Sequence, residues 1–119
     1  MGTRAVAALI GALAVGATGA TSAASAHVAG LVTRADGTAL QILTTARETT
    51  TVTLDEHTSY LKWITHKPRQ QDSRATAKSI AAGRCVDVEL RGPVGRVAKV
   101  VRINADEAGT VDDPCRAIR

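Results

Sequence analysis

Basic and aromatic residues are concentrated in one stretch near the middle of the chain, where they suit the binding of an anionic polymer. The candidate residues are Tyr60, Lys62, Trp63, Lys67, Arg69, Arg74 and Lys78. Asp72 is the single acidic residue between Lys62 and Lys78. Cations beside aromatic rings bind phosphate and stack nucleic-acid bases, and an anionic wall polymer or a lipid headgroup offers the same charge. In the alternative interpretation the stretch is a solvated loop, and Trp63 packs onto a core that is otherwise poor in aromatic residues.

The three histidines could bind a metal only under special conditions. If a signal peptide is removed after Ala26, His27 becomes the N-terminal residue. Its amine and imidazole can then chelate Cu(II), with His57 or His66 as a source of a third nitrogen. Removal after Ala24 instead leaves an X-X-His terminus, which suits square-planar Cu(II) or Ni(II). His57 and His66 are nine positions apart, which is not a ligand spacing, so we predict no metal site and no cofactor and keep His27 as the alternative.

The acidic residues do not form a recognisable catalytic group. Asp55-Glu56-His57 brings two carboxylates near an imidazole, but adjacent residues of a strand face opposite sides of a sheet. Asp112-Asp113 lacks the spaced oxygen ligands of a calcium loop. The sequence contains no Gly-Lys-Ser/Thr phosphate loop, no Gly-x-Ser-x-Gly elbow and no His-Glu-x-x-His motif. We therefore predict that the protein is not an enzyme.

The N-terminus has the pattern of a secretory signal peptide. Arg4 makes a short basic start, residues 5–17 form an apolar run too short to span a bilayer, and Ala24-Ser25-Ala26 fits the small-residue cleavage motif. Cleavage after Ala20 is also compatible with the pattern, and a retained N-terminal helix is the alternative. No cysteine near the motif could carry a lipid, and no later run approaches the roughly 20 apolar residues of a transmembrane helix. The pattern predicts that residues 1–26 are removed and that the mature chain is secreted or extracytoplasmic.

Only two cysteines are present, Cys85 and Cys115. In an oxidising compartment an even number of cysteines in a small chain indicates a disulfide, and the spacing excludes a Cys-x-x-Cys redox or zinc motif. Cys85 alternates with Val86 and Val88, so it should face away from the core and reach outward for Cys115.

The net charge of +4 is modest. It is compatible with loose affinity for anionic surfaces, although a solvated domain needs no partner to explain it.

Elements with a period of two must position these residues. The pattern predicts strands over 27–34, 40–45 and 49–55, with a type I′ turn at Asp36-Gly37. A long polar segment, 56–76, follows; it contains Pro68, which is excluded from an inner strand. A short helix over 75–82, stopped by Gly83, leads to a final hairpin over 85–103 that turns at residues 92–95. In that hairpin the pattern places Lys99 on the core face, at a barrel mouth.

The order of these elements predicts an all-β fold with one short helix, arranged as a five-stranded OB-like barrel. Closing the sheet would remove the edges that a meander leaves open to aggregation. A chain of this size allows one domain, over residues 27–104. Residues 105–119 form a polar tail too poor in apolar residues to fold alone, which Cys115 would hold against the barrel. We expect a monomer.

Several short motifs resemble a secreted bacterial family of small OB-like domains whose function is unknown. They are Gly30-Leu31-Val32, Asp36-Gly37, the Thr-rich strand 49–55, Ile80-Ala81-Ala82-Gly83, Val86-Asp87-Val88-Glu89 and Val100-Val101-Arg102-Ile103. The resemblance covers residues 28–104 and implies an OB-like fold in the cell envelope or outside the cell. Two features depart from the family pattern: Arg84 stands where Asp commonly follows the glycine, and the insertion at residues 60–74 is longer and more basic. The departure at Arg84 should be harmless, and no catalytic residue can be transferred from the family.

Together these observations predict a non-catalytic binding or structural module of the cell envelope. Its partner would be an anionic envelope polymer or an envelope protein. Two alternatives stay open: a polyanion binder, of wall polymer or nucleic acid, that uses the Tyr60 to Lys78 loop, and a weak Cu(II) binder at the mature N-terminus.

Overall fold

The computed structural model describes residues 27–92 and 95–119, and within them the chain is almost entirely β-structure. The predicted signal peptide lies outside the described residues. The strands are β1 (His27–Ala35), β2 (Ala39–Thr44), β3 (Thr49–Thr53), β4 (Ser59–Trp63), β5 (Ser73–Arg74), β6 (Cys85–Leu90) and β7 (Ala98–Asn104). They form one sheet in the order β3-β2-β1-β6-β7-β4-β5. The predicted all-β class is confirmed.

The core is built from aliphatic side chains at alternate positions of the strands. In β1 the buried residues are Val28, Gly30 and Val32. In β6 they include Val86 and Val88, which were predicted to share a face. The whole core cluster comprises Val28, Val32, Leu40, Ile42, Val52, Leu54, Ile80, Val86, Val88, Ala98, Val101 and Ile103. Fully burying one of the larger of these side chains stabilises the fold by about 1.5 to 3 kcal/mol.

The turn between β1 and β2 differs from the predicted type I′ turn. Gly37 has φ of 90°, but no positive φ occurs at Asp36. Instead, Oδ1 of Asp36 accepts hydrogen bonds from the backbone N–H groups of Thr38 (3.0 Å) and Ala39 (2.9 Å). The short acidic side chain thus closes the turn by bonding to the backbone that follows it. The Thr38 hydrogen bonds also hold the pKa of the Asp36 carboxyl below its usual value.

Gly30 lies where two neighbouring backbones approach each other closely. It pairs with Thr44 of β2 and with Val86 of β6. A Cβ atom built at this position would lie 2.1 Å from the carbonyl oxygen of Leu43. A glycine inside a strand often marks such an approach. Only a residue without a side chain lets the backbones of β1 and β2 approach this closely here.

The largest departure from the predicted fold is in the polar segment between β3 and β6. It contains two strands, β4 and β5, so the sheet has seven strands rather than five. β4 pairs in parallel with β7, from Ser59–Val100 to Trp63–Asn104. Pro68, which was predicted to be excluded from an inner strand, lies between β4 and β5.

The path from β3 to β4 carries the chain from one side of the sheet to the other. β3 pairs with β2, whereas β4, which begins only six residues after β3 ends, pairs with β7. At the crossing point Thr53 forms an isolated parallel bridge with Val97, and its N–H donates to the carbonyl of Arg96 (2.9 Å). The ladder of paired strands is nevertheless open, with β3 and β5 as its end strands.

The predicted short helix is wrong. In the described part of the chain the helical elements are 3₁₀ turns, at Arg69–Gln71, Ala77–Ser79 and Arg116–Ile118. The predicted helix over 75–82 is reduced to the second of these, because Ile80 is drawn into the core in an extended conformation and two helical turns cannot offset the cost of nucleation. Gly83 does adopt positive φ, at 94°. No helix among the described residues has the length and hydropathy needed to cross a membrane.

The final hairpin has a register shift that the alternating pattern did not predict. β6 and β7 pair regularly from Val86–Ile103 to Glu89–Val100, and the register then shifts so that Leu90 pairs with Ala98. Ala98 therefore enters the core. Lys99, predicted to face the core at a barrel mouth, is instead exposed and lies 3.7 Å from the carboxylate of Glu89. The hairpin turn includes Pro93 and Val94, which lie outside the described residues.

The tail, residues 105–119, folds back over the outer face of the sheet. Cys115 is joined to Cys85 by a disulfide, with Cα atoms 5.6 Å apart, so the predicted pairing is confirmed. The two cysteines and Ile118 form a small buried cluster against Leu31, separate from the main core. This cluster covers the disulfide from solvent.

Asp113 organises the polar part of the tail. Its buried carboxylate accepts hydrogen bonds from the N–H groups of Gly109 (2.7 Å) and Cys115 (2.9 Å) and from Nε of Arg119. Burial alone would raise the pKa of this carboxyl. The hydrogen bonds from Arg119 and the two amides outweigh that effect, so the pKa lies below its usual value.

The contribution of Asp113 to the conformation of the tail should therefore change with pH only in strong acid. Because the pKa of Asp113 is lower in the folded chain than in the unfolded one, its contribution to stability is complete above the unfolded pKa of about 3.9. That contribution is lost as the pH falls through the folded pKa. We expect the NMR amide shifts of Gly109 and Cys115 to stay constant down to about pH 4 and to move below it, and to be displaced at every pH in Asp113→Asn. A titration of these amides centred above pH 4 would contradict the assignment.

Candidate functional site

The seven residues predicted to bind a polyanion do not share one surface. Within β4 the side chains alternate, so Tyr60 and Lys62 point toward the core side of the sheet and Trp63 toward the outer side. Of the other four, Arg74 lies in β5 and the remaining three lie in the connections between strands. The structure divides five of the seven residues among an outer-face cluster, an aromatic cavity and a basic cavity, and Lys67 and Arg69 lie outside all three.

The outer-face cluster surrounds Trp63. The guanidinium carbon of Arg102 lies 4.9 Å from the centroid of the Trp63 ring, within the range of a cation–π contact. Arg102 is in turn held by Asp72, through contacts of 2.7 and 3.2 Å. Both side chains of that pair are largely buried, at 14% and 5% exposure. Trp63 is therefore not part of the main core, and Arg102 covers one face of its ring.

The aromatic cavity contains Tyr60 and Arg74. Tyr60 packs against the main core, and burial raises the pKa of its hydroxyl, with the charge of Asp55 adding to the effect. A cavity of about 360 Å³ is lined by Thr58, Tyr60, Arg74 and their neighbours. It holds one cation beside a half-buried ring.

Two further cations of the predicted set point elsewhere. Lys67 is exposed in the turn that follows β4. Arg69 is exposed in the first 3₁₀ turn and lies 3.9 Å from the carboxylate of Glu89. An ion pair at such an exposed position contributes roughly 0 to 1 kcal/mol, so the contact with Glu89 does not fix the Arg69 side chain.

The basic cavity brings together two residues of the predicted set and one that was not predicted. Lys62, Lys78 and Arg84 line a single cavity of about 350 Å³. The remaining walls include Ser79, Ile103 and Asn104. Among the described residues, none of the three cations has a carboxylate within 4.0 Å.

Three different elements position these cations. Lys62 pairs with Ile103 near the end of the parallel ladder of β4 and β7, so its ammonium group can extend past the core into solvent. Lys78 lies in the second 3₁₀ turn. Arg84 is fixed by its backbone, because its carbonyl accepts a hydrogen bond from Val32 (2.8 Å) just before β6 begins.

The three cations differ from Arg91, Arg102 and Arg119, which are paired with carboxylates, and they differ from the other unpaired cations of the described chain in lining one cavity together. Arg91 forms a two-point ion pair with Asp55, at 2.6 and 2.9 Å, and Arg102 and Arg119 are paired with Asp72 and Asp113. Those pairs hold the tertiary structure together. The cations of the basic cavity have no carboxylate partner among the described residues, so an anion from outside the chain would be attracted to them.

A second cavity adjoins the basic cavity. This tail cavity, of about 560 Å³, is lined by residues 82–85 and 104–108 together with Arg119. The two cavities share Arg84, Asn104 and Ala105. The two cavities are therefore adjacent, and we refer to this adjacent pair, which Arg84 lines on both sides, as the groove.

Each of the three histidines lies near a different carboxylate. His27 lies 3.5 Å from Asp87, His57 lies 3.8 Å from Glu56, and His66 contacts Asp112. Among the described residues, the one group of three metal-capable side chains is Cys85, Asp113 and Cys115. Since its two sulfur atoms are bonded to each other, they are not available as metal ligands.

The carboxylate of Asp55 stabilises the fold. Asp55 binds Arg91, and its Oδ1 also accepts a hydrogen bond from the N–H of His57 (2.9 Å). The hydrogen bond from Arg91 is the main reason that the pKa of Asp55 lies well below its usual range. A carboxylate held in this way is a poor general base.

Arg84 is the residue of the site that the sequence interpretation overlooked. It was noted as a departure from the family pattern and treated as harmless. The signal available in the sequence was its position. A cation that directly follows a glycine and directly precedes a buried strand lies at the end of that strand, where side chains line the end of the sheet.

Comparison with known protein families, with curated proteins and with solved structures finds no match for this chain.

Proposed function

We propose that this protein is a non-catalytic, extracytoplasmic binding module that holds an anionic polymer in the basic cavity. The observation that carries the proposal is the presence of Lys62, Lys78 and Arg84 around one cavity with no carboxylate partner among the described residues. Three unpaired cations in a concave site concentrate positive potential there. Such a site favours a phosphate or carboxylate group over any neutral ligand.

The aromatic residues favour a polymer without nucleic-acid bases. Single-strand binders offer exposed rings on which bases stack, but Trp63 is covered by Arg102 and Tyr60 packs against the core. Neither ring lines the basic cavity. The proposed ligand is therefore a phosphate or carboxylate polymer without nucleic-acid bases, and a nucleic acid is the competing outcome of the test.

The proposed site is compatible with an OB-like barrel, in which the three cations would lie at one end. The end of β3 meets Val97, and β4, its continuation, pairs in parallel with β7. Such a path supports a curled sheet in which β3 and β4 together form one long, bent strand. This strand would pair with β2 at one end and with β7 at the other. Lys62, Lys78 and Arg84 would then surround one mouth of the barrel. The disulfide is compatible with an oxidising compartment outside the cytoplasm, as the predicted signal peptide and the family resemblance also suggest.

Neutralising the basic cavity should weaken binding and reduce its salt dependence. We expect the triple variant Lys62→Gln, Lys78→Gln, Arg84→Gln to bind linear polyphosphate at least tenfold more weakly. Its slope of log affinity against log salt should be smaller by about 2 to 3, as each lost phosphate contact removes roughly 0.7 to 1. Isothermal calorimetry at several salt concentrations measures both quantities.

A matched control removes the same charge from the same segment of the chain. In Lys67→Gln, Arg69→Gln, Arg74→Gln the basic cavity is intact, so affinity should fall by less than about threefold, through the long-range field alone. Equal losses in the two variants would mean that the whole surface binds without a site. Polygalacturonate in place of polyphosphate distinguishes carboxylate from phosphate recognition.

Two results would overturn the proposal. If oligothymidylate binds more tightly than polyphosphate and quenches Trp63 fluorescence, the protein is a nucleic-acid binder that displaces Arg102 from the ring. If the unmodified protein binds none of these polymers at low salt, it is a structural module of the envelope, and its basic cavity is a solvated surface.

A further inference from the structure

The groove formed by the basic cavity and the tail cavity is dipolar. On one side of Arg84 lie the ammonium groups of Lys62 and Lys78. On the other side lie the carboxylates of Asp106 and Glu107. Arg119 also lines the tail cavity, but its charge is already balanced by buried Asp113. The two adjacent cavities of the groove are therefore lined by unpaired charges of opposite sign.

The two carboxylates of the tail cavity differ in their other contacts. Asp106 Oδ2 accepts hydrogen bonds from the amide and hydroxyl of Thr65, at 2.9 and 2.7 Å, and from the side-chain amide of Asn104 at 3.2 Å. It ties the tail to the turn after β4. Glu107 is exposed, and within the described chain its side chain has no cation within 4.0 Å. Glu107 is thus free to meet a positive group from outside.

We infer that the groove takes a zwitterionic ligand, in which an anionic phosphate or carboxylate and an ammonium group are joined by a short chain. The anionic group would occupy the basic cavity, and the ammonium group would lie in the tail cavity against Glu107. This inference rests on the proposed function and narrows its ligand class. A purely anionic polymer would gain from the three cations but would meet repulsion from Glu107 wherever it continued past Arg84.

Matched pairs of small phosphates test the inference because net charge and dipolar fit predict opposite results. An ω-aminoalkyl phosphate has one negative charge fewer than the alkyl phosphate of the same length. In a site that senses only net charge it must bind more weakly. In the dipolar groove, at the chain length that spans the two cavities, it should bind about two- to fivefold more tightly, the gain typical of one solvent-exposed ion pair.

The experiment titrates the purified protein with alkyl and ω-aminoalkyl phosphates of two to six carbons and follows amide shifts by NMR. The expected result is a maximum in the affinity ratio at one chain length, with shifts at Arg84 and Glu107. In Glu107→Gln the ratio should fall below one, while affinity for the plain alkyl phosphate is unchanged or slightly higher. Asp106 is left intact because its substitution would release the turn after β4.

The outcomes separate the two proposals. If alkyl phosphates bind and the aminoalkyl series is weaker at every length, the dipolar inference is overturned and the proposed anion-binding function stands. If neither series binds although polyphosphate does, the dipolar inference is overturned and the proposed function stands; if polyphosphate does not bind either, both fail. If the aminoalkyl gain persists in Glu107→Gln, the ammonium group lies elsewhere and the assignment of the tail cavity is wrong.

Discussion

Replacing Cys85 and Cys115 together by alanine is expected to lower the free energy of unfolding by about 3 to 4 kcal/mol. The disulfide closes a loop with a sequence separation of 30 residues, and a cross-link over that distance restricts the unfolded chain by about this amount in the chain-entropy model. In a small domain the loss should lower Tm by roughly 15 to 25 °C. The buried cluster with Leu31 and Ile118 also loses its sulfur atoms, so the tail should detach before the sheet unfolds.

Chemical denaturation with and without reductant measures this effect and provides its control. The unmodified protein in reductant should resemble the double variant, and the double variant should not respond to reductant. Proteolysis within residues 105–119 should accelerate in both. A native protein whose two thiols label freely, or whose stability is the same with and without reductant, would contradict the role assigned to the disulfide.

The second large effect is expected at Gly30. In Gly30→Ala the new methyl group would have to fit 2.1 Å from the carbonyl oxygen of Leu43. That oxygen belongs to the backbone of β2 and cannot rotate away, so the two strands must separate. Overpacking of this kind costs about 1 to 3 kcal/mol, occasionally more, and we expect the upper end because no flexible side chain can absorb the strain.

The neighbouring residue provides the control for Gly30. Ala29 is exposed on the opposite face of β1, so Ala29→Ser should change the free energy of unfolding by less than about 0.5 kcal/mol. Urea unfolding of both variants gives the comparison. A Gly30→Ala protein as stable as the parent would show that β1 and β2 are further apart than the structure places them.

The parts of the fold that could be predicted are those in which the alternation of apolar and polar residues determines which face of a strand is buried. The β1 to β3 meander, the buried Val86 and Val88 and the cysteine pairing all follow from period two and from an even cysteine count. Local patterns could not reveal the shift that brings Ala98 into the core in place of Lys99, because a one-residue register change depends on the partner strand.

The missed strand β4 has a different cause. Its stretch Ser59–Trp63 contains β-forming residues, but the surrounding polar residues and Pro68 favour a loop. What makes it a strand is the edge of β7, some forty residues later in the chain. A pairing over that distance is a tertiary effect, which outweighs local propensity and leaves little trace in the sequence.

The candidate site could be predicted only in part for the same reason. Lys62 and Lys78 were identified by their charge, but charge alone could not separate them from Lys67, Arg69 and Arg74. The distinction depends on which side of β4 each residue meets and on which carboxylate lies opposite. Arg84 joins the site only because β6 begins beside β7, which no local motif indicates.

The central place of β7 in the sheet has a consequence for how the molecule is made. β7 lies between β6 and β4, and the pairing of Ser59 with Val100 joins residues far apart in sequence. Contacts of such long range slow folding, because the loop between them must close before they contribute. The nascent polypeptide therefore cannot complete its sheet until residue 104 has emerged.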